Sequence, residues 1–178
     1  EWTALLGLLA GTMGKIANEI INLMKTEVDE VEEPFHHGKV GSSTMPHKRN
    51  PMICEAVVAA SRIVRSHVPL AMEVMMSEHE RDMSTWQAEW EFVPEACILT
   101  GVVLHQMKFV LSNLIVKPDN MRKNLETLGG LILSEAVMLR LGESVGRQTA
   151  HDLVYEISME TFEKGVPFAE LLAMDEKV

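Results

Sequence analysis

Residues 41–51 read Gly-Ser-Ser-Thr-Met-Pro-His-Lys-Arg-Asn-Pro, placing two hydroxyls, Ser42 and Ser43, ahead of a cationic cluster, His47, Lys48 and Arg49, and the amide side chain of Asn50. Successive backbone N–H groups beside a glycine form anion-binding nests, and Lys48 or Arg49 can pair with a carboxylate. The set therefore suits the holding of an anion. Taken by themselves, the same residue types also make a flexible linker followed by a solvated basic patch, so the spacing alone leaves both readings open.

These residues need elements to position them. Gly38, Gly41, Ser42, Ser43, Pro46, Asn50 and Pro51 break any period across residues 34–51. Connections of about eighteen residues in compact domains are mostly functional or disordered. Before this stretch, Leu5, Leu8, Leu9, Ile16, Ile20, Leu23 and Met24 recur at the spacing of one helix face, and Gly7, Gly11 and Gly14 let another helix approach closely. Residues 27–33 form an acidic run, expected at a solvated helix end or loop. After it, Ile53, Val57, Ala60, Val64 and Val68 predict a helix checked at Pro69, and Pro94 is expected in the first turn of a helix through Ile98, Val102, Met107 and Val110. Lys117 and Pro118 mark a boundary. Beyond it the spacing predicts a short helix with Met121 and Leu125, another over 131–141 after Gly129-Gly130, and a third over 148–164 that stops at Gly165 and Pro167.

Composition narrows the class. With 13 Met, 5% aromatics, 11 Gly and 7 Pro, the chain is rich in unbranched apolar residues and poor in strand and turn formers, which predicts an all-α fold. A formal charge of −10 and the lack of a basic stripe argue against nucleic acid or an anionic membrane as the main partner. The longest apolar stretch, residues 2–13, is interrupted by Thr3, Gly7, Gly11 and Thr12 and falls short of the ~20 residues a membrane span needs. Cys54 and Cys97 show no ligand or redox spacing, so reduced thiols in a cytoplasmic protein are expected. The chain opens at Glu1 without an initiator Met, a basic n-region or a cleavage-site pattern, so no secretory signal is expected and a fragment of a longer chain is.

As a complete string, 41–51 resembles the signature loop of the fumarase/aspartase superfamily, Gly-Ser-Ser-x-Met-Pro-x-Lys-x-Asn-Pro, at every fixed position. Lys25-Thr26-Glu27-Val28 with Glu32-Glu33-Pro34-Phe35 resembles the lead-in of one branch, and His79-Glu80-Arg81-Asp82 its downstream element, so the likeness runs the length of the chain. The resemblance implies a long-helix bundle, residues 1–116, with a smaller C-terminal helical domain, residues 117–178. It implies that Ser42 is the general base removing a proton α to a carboxylate, with Ser43 beside it. It also implies that Lys48, Asn50, Thr44 and Met45 meet the substrate carboxylate. Such a base works only where preorganised donors and a cation meet the second negative charge of the intermediate. Arg81 is a second carboxylate clamp on this reading, or else a surface ion pair with Glu78 or Glu80. The family's histidine acid belongs to a motif in which none of His36, His37, His47, His67, His79, His105 or His151 sits, so this stretch alone is expected to be inactive.

The Met-Pro-His-Lys-Arg-Asn-Pro variant is similar to the branch of adenylosuccinate lyases and 3-carboxy-cis,cis-muconate cycloisomerases. In the former, a serine and an arginine after the Glu-Arg element help hold the nucleotide phosphate; here those positions are Trp86 and Trp90. An indole offers one N–H where arginine offers a bidentate fork. Trp86-Gln87-Ala88-Glu89-Trp90-Glu91 instead resembles the cycloisomerases, where the two rings are either a substrate wall or helix-packing anchors. The branch implies lactone formation, with β-elimination from a small polycarboxylate as its reverse. It further implies no metal or organic cofactor, and a cytoplasmic homotetramer with active sites shared between subunits.

Overall fold

The computed structural model describes residues 1–35, 42, 44–45 and 48–175. Among the described residues the regular structure is helical apart from one two-residue strand pair, which makes the fold all-α. Two compact units divide the chain, Glu1–Lys117 and Pro118–Val178.

In the first unit, α1 (Trp2–Leu23), α2 (Met52–Glu73) and α3 (Met83–Ser112) pack on one another. The buried face of α1 is not its leucine face. Thr3, Leu6, Gly7, Ala10, Ala17 and Ile20 are buried, while Leu5, Leu8 and Leu9 are exposed. Small residues let the backbone of α2 come close: a Cβ on Gly7 would stand 2.6 Å from Val68 Cγ2, and one on Gly14 would stand 2.9 Å from Ser61 Cβ. Leu6, Ala10, Val64 and Ala96 form the shared core, with Leu99 packed against it. Contrary to the sequence expectation, α1 is long and apolar enough to cross a membrane by length and composition, with an 18-residue window of mean hydropathy 1.3. In this structure it packs along α2 and α3.

Two prolines that were expected to bound helices lie inside them. Helix α2 runs through Pro69, and α3 begins eleven residues before Pro94, at Met83. The start of α3 is set by Asp82, whose carboxylate accepts from Ser84 N at 3.0 Å and Ser84 Oγ at 2.6 Å. Those bonds hold the Asp82 carboxyl below its ordinary range. Each internal proline removes one ladder bond. The buried stripe of α3, from Phe92 through Ala96, Thr100, Val103 and Met107 to Val110, continues on the far side of Pro94, and its burial outweighs the lost bond.

After α1 the chain turns at Asp29, with φ of 49°, into β1 (Val31–Glu32). That strand pairs antiparallel with β2 (Ile115–Val116), Val31 opposite Val116 and Glu32 opposite Ile115. The acidic run is therefore not the solvated loop that the sequence suggests, since Glu32 and Glu33 are both buried.

The second unit holds α4 (Pro118–Glu126), a 3₁₀ turn (Leu131–Leu133), α5 (Ser134–Val145), α6 (Arg147–Lys164) and α7 (Phe168–Met174). Val154, Ile157 and Phe168 form its core with Leu131, Val137, Met138, Leu141, Leu171 and Leu172. Gly165 ends α6 at φ of 67°, the left-handed cap that glycine accepts without strain.

Candidate active site

The signature segment leaves β1 and enters α2, and buried carboxylates hold both of its ends. Pro51, at the N-cap of α2, supplies no side-chain cap. The Glu33 carboxylate takes that role from twenty residues upstream, accepting from Ile53 N at 3.1 Å and Cys54 N at 3.1 Å. Its own N–H donates to Met24 Sδ at 3.3 Å, at the end of α1. Glu32 accepts a charged hydrogen bond from Arg49, whose guanidinium also lies 4.8 Å from the centre of the Phe35 ring. The second Glu32 oxygen is 3.4 Å from Lys117 Nζ, which also pairs with Asp29. The bond to Asp29, with the nearby charge of Glu32, raises the Lys117 pKa above its ordinary value.

Within the segment, Ser42 Oγ accepts from Met45 N at 3.0 Å and Thr44 N at 3.3 Å. Lys48 N closes a turn onto Met45 O at 3.0 Å. Between the end of α1 and the start of α2 lies an open cleft of ≈ 700 Å³. Met45, Lys48 and Asn50 line it, together with Lys25, Arg49 and Lys117 and the carboxylates Glu27, Asp29, Glu32 and Glu55. Among the described residues, neither Lys25 nor Lys48 has a carboxylate partner, whereas Arg49 and Lys117 are paired.

Of the residues singled out in the sequence, Met45, Lys48 and Asn50 come together in this cleft, while Ser42, Thr44 and Arg81 do not line it. Ser43 and His47 lie outside the described residues. Arg81 sits in the turn before α3 with φ of 61°, exposed, and among the described residues it makes no ion pair to Glu78 or Glu80, the alternative to the carboxylate clamp. Trp86 and Trp90, one turn apart on α3, have ring centres 5.4 Å apart and planes at 58°, and both are exposed. They therefore do not serve as packing anchors within this unit.

The family model described as lyase matches residues 1–65, and that described as adenylosuccinate lyase C-terminus matches residues 130–178. The crystal structure of 3-carboxy-cis,cis-muconate lactonizing enzyme from Pseudomonas putida superposes with a TM-score of 0.87 and 37% identity, over 100% of this chain and 40% of that one. The chain belongs to the fumarase/aspartase superfamily. Among curated superfamily members, it is 47% identical to N-acetyl-S-(2-succino)cysteine lyase of Enterococcus italicus, over 97% of this chain and 38% of the relative. It is 40% identical to adenylosuccinate lyase of Bacillus subtilis, over 100% of this chain and 42% of the relative. The chain thus spans about two-fifths of the length of these superfamily proteins.

The sequence reading missed the residues that hold the segment and wall the cleft: Lys25, Asp29, Glu32, Glu33, Glu55 and Lys117. A faint signal existed. Val28 and Val31, both β-branched, interrupt the acidic run, which suits a short strand better than an uninterrupted run of charge would. Nothing local marked Lys117, which meets Asp29 only through the β1–β2 pairing.

Proposed function

We propose that the full-length protein eliminates a group β to a carboxylate of a small, non-nucleotide polycarboxylate, with Ser42 as the base, in the manner of a 3-carboxy-cis,cis-muconate cycloisomerase. The observation that carries this reading is the pair of backbone N–H groups on Ser42 Oγ. A serine hydroxyl removes a carbon-bound proton only when its oxyanion is stabilised, and two convergent amide dipoles provide that stabilisation. Lys48 and Asn50 then hold the substrate carboxylate whose charge grows as the proton leaves, and Lys48 has no internal partner among the described residues to compete for it. In the lactone-opening direction, the carboxylate of the lactone ring is the leaving group. Lactone formation is the reverse, with Ser42 returning the proton.

The exposed indoles of Trp86 and Trp90 support a substrate without a phosphate. A second reading follows from the 47% identity to an N-acetyl-S-(2-succino)cysteine lyase, in which a thiolate leaves in place of a carboxylate. Proton abstraction is the same in both. Exposed Leu5 and Leu8 on α1, and Ile98, Val102 and Phe109 on α3, support burial of these helices in a homotetramer with shared sites. The free thiols Cys54 and Cys97 suit a cytoplasmic protein.

The test presents the full-length protein with 3-carboxymuconate, N-acetyl-S-(2-succino)cysteine and adenylosuccinate, followed by ultraviolet absorbance. Turnover of only the nucleotide would overturn the substrate class. Ser42→Ala is expected to lose about 10² to 10⁴ in kcat, the usual contribution of a positioned base. Its Tm should stay close to wild type, because the amides that Ser42 releases can turn to water. A variant at wild-type rate would remove Ser42 from its role.

A further inference from the structure

We infer that Glu33 is a positioning residue for the signature segment, an inference that rests on the function proposed above. Its carboxylate joins the strand entering the segment to the first turn of the helix leaving it, through Ile53 N and Cys54 N. Its backbone N–H fixes the same point to Met24 at the end of α1. One residue thus links the entrance, the exit and both walls of the cleft.

Helix capping alone does not account for this arrangement. A Ser or Asp at position 51 would cap α2 locally without burying a charge. Here proline occupies the cap, and the amides are met by a remote carboxylate that is only 1% exposed, an environment costly for an ion unless its partners are fixed. What the remote cap adds is a closed neck. The Arg49–Glu32 pair, with the Arg49 guanidinium over the Phe35 ring, makes a second tie beside it. Lys48 and Asn50 flank the anchored Arg49, so their place in the cleft depends on both ties. Misplacing a substrate-holding group by about 1 Å costs on the order of 10²-fold in rate.

The experiment measures kcat and KM of the full-length enzyme per folded molecule, well below each variant's Tm. Glu33→Gln keeps the reach of the side chain and one oxygen for both amides, but removes the charge and sets an N–H₂ against Ile53 N, whose second contact, at 3.2 Å, is lost; it is expected to lower kcat about 10- to 100-fold. Arg49→Lys, at a side chain 52% exposed and therefore tolerant of change, loses the fork and the stacking and is expected to lower kcat about tenfold. Because both ties hold one neck, the double variant should lose less than the product of the two single losses. A residue that only stabilises the fold would lower Tm and leave kcat per folded molecule unchanged. Wild-type kcat in Glu33→Gln, or in Arg49→Lys should the first fail to fold, overturns the inference if Ser42→Ala is inactive. An active Ser42→Ala protein would instead overturn the reading of the segment itself.

Discussion

Alanine at Gly14 and alanine at Gly11 are the same change on the same helix, three residues apart, and are expected to move stability in opposite directions. In a helix interior, Gly→Ala contributes about 1 kcal/mol. At Gly11 the new methyl would meet Arg65 Cδ at 3.5 Å, an ordinary contact, so the gain is kept. At Gly14 it would stand 2.9 Å from Ser61 Cβ and 3.0 Å from Ser61 Oγ. Carbon atoms pack at ~3.5–4.0 Å, and a Cβ cannot rotate away as a side-chain tip can, so α1 and α2 must part. Overpacking of this kind costs about 1–3 kcal/mol, which cancels the propensity gain and leaves a net loss of up to about 2 kcal/mol. For the unit Glu1–Lys117 a change of 1 kcal/mol moves Tm by about 4 °C, so thermal melts of the two variants at equal protein concentration will separate them. The same displacement reaches the cleft, whose walls are the end of α1 at Met24 and Lys25 and the start of α2 at Pro51 and Glu55. Hence kcat/KM should fall in Gly14→Ala and hold in Gly11→Ala. Melting temperatures that shift the same way in both variants would refute the close approach of α1 and α2.

Lys48→Met removes from the cleft an ammonium with no carboxylate partner among the described residues and should lower kcat/KM about 10- to 100-fold, the equivalent of a hydrogen bond to a charged group; steady-state kinetics within threefold of wild type would argue that another cation holds the carboxylate. Asp82 contributes a pH-dependent cap to α3: its carboxyl is depressed by the bonds from Ser84, so the contribution is present above the ordinary value of 3.8 and is lost as pH falls through the folded value. Melts followed by circular dichroism should therefore show a Tm gap between wild type and Asp82→Ala at neutral pH that closes in acid, and a gap constant down to low pH would contradict the assignment.

The long elements and the signature string were legible because each is local. The string 41–51 needs no context, and the Lys117-Pro118 punctuation coincides with the start of α4 at Pro118. What the pattern hid is tertiary. Leu5, Leu8 and Leu9 look like a core stripe, yet the glycine and alanine side of α1 faces α2, because close backbone approach there is reached by small residues and not by large ones. Pro69 and Pro94 look like helix boundaries, yet both helices run through them, and around Pro94 a stripe that stays buried on both sides outweighs one missing bond. Glu32 and Glu33 look solvated until the strand pair and the start of α2 supply their partners. In each case local propensity pointed one way and a contact distant in sequence decided the outcome.

The charge distribution follows the same logic. On the function proposed, a chain of net charge −10 must present unpaired cations to an anionic substrate, and the sequence suggests that the His-Lys-Arg run with Arg81 supplies them. The structure divides that run by residue type. Arg49, with a planar fork and a face that stacks, is consumed internally by Glu32 and Phe35. Lys117 is consumed by Asp29 and Glu32. Lys25 and Lys48, compact charges on flexible stems, are left in the cleft without carboxylate partners among the described residues. The carboxylates that make the protein acidic therefore do more than set its net charge: by holding the arginine in place beside Lys48, they turn one cation into scaffold and leave its neighbour available to an anion.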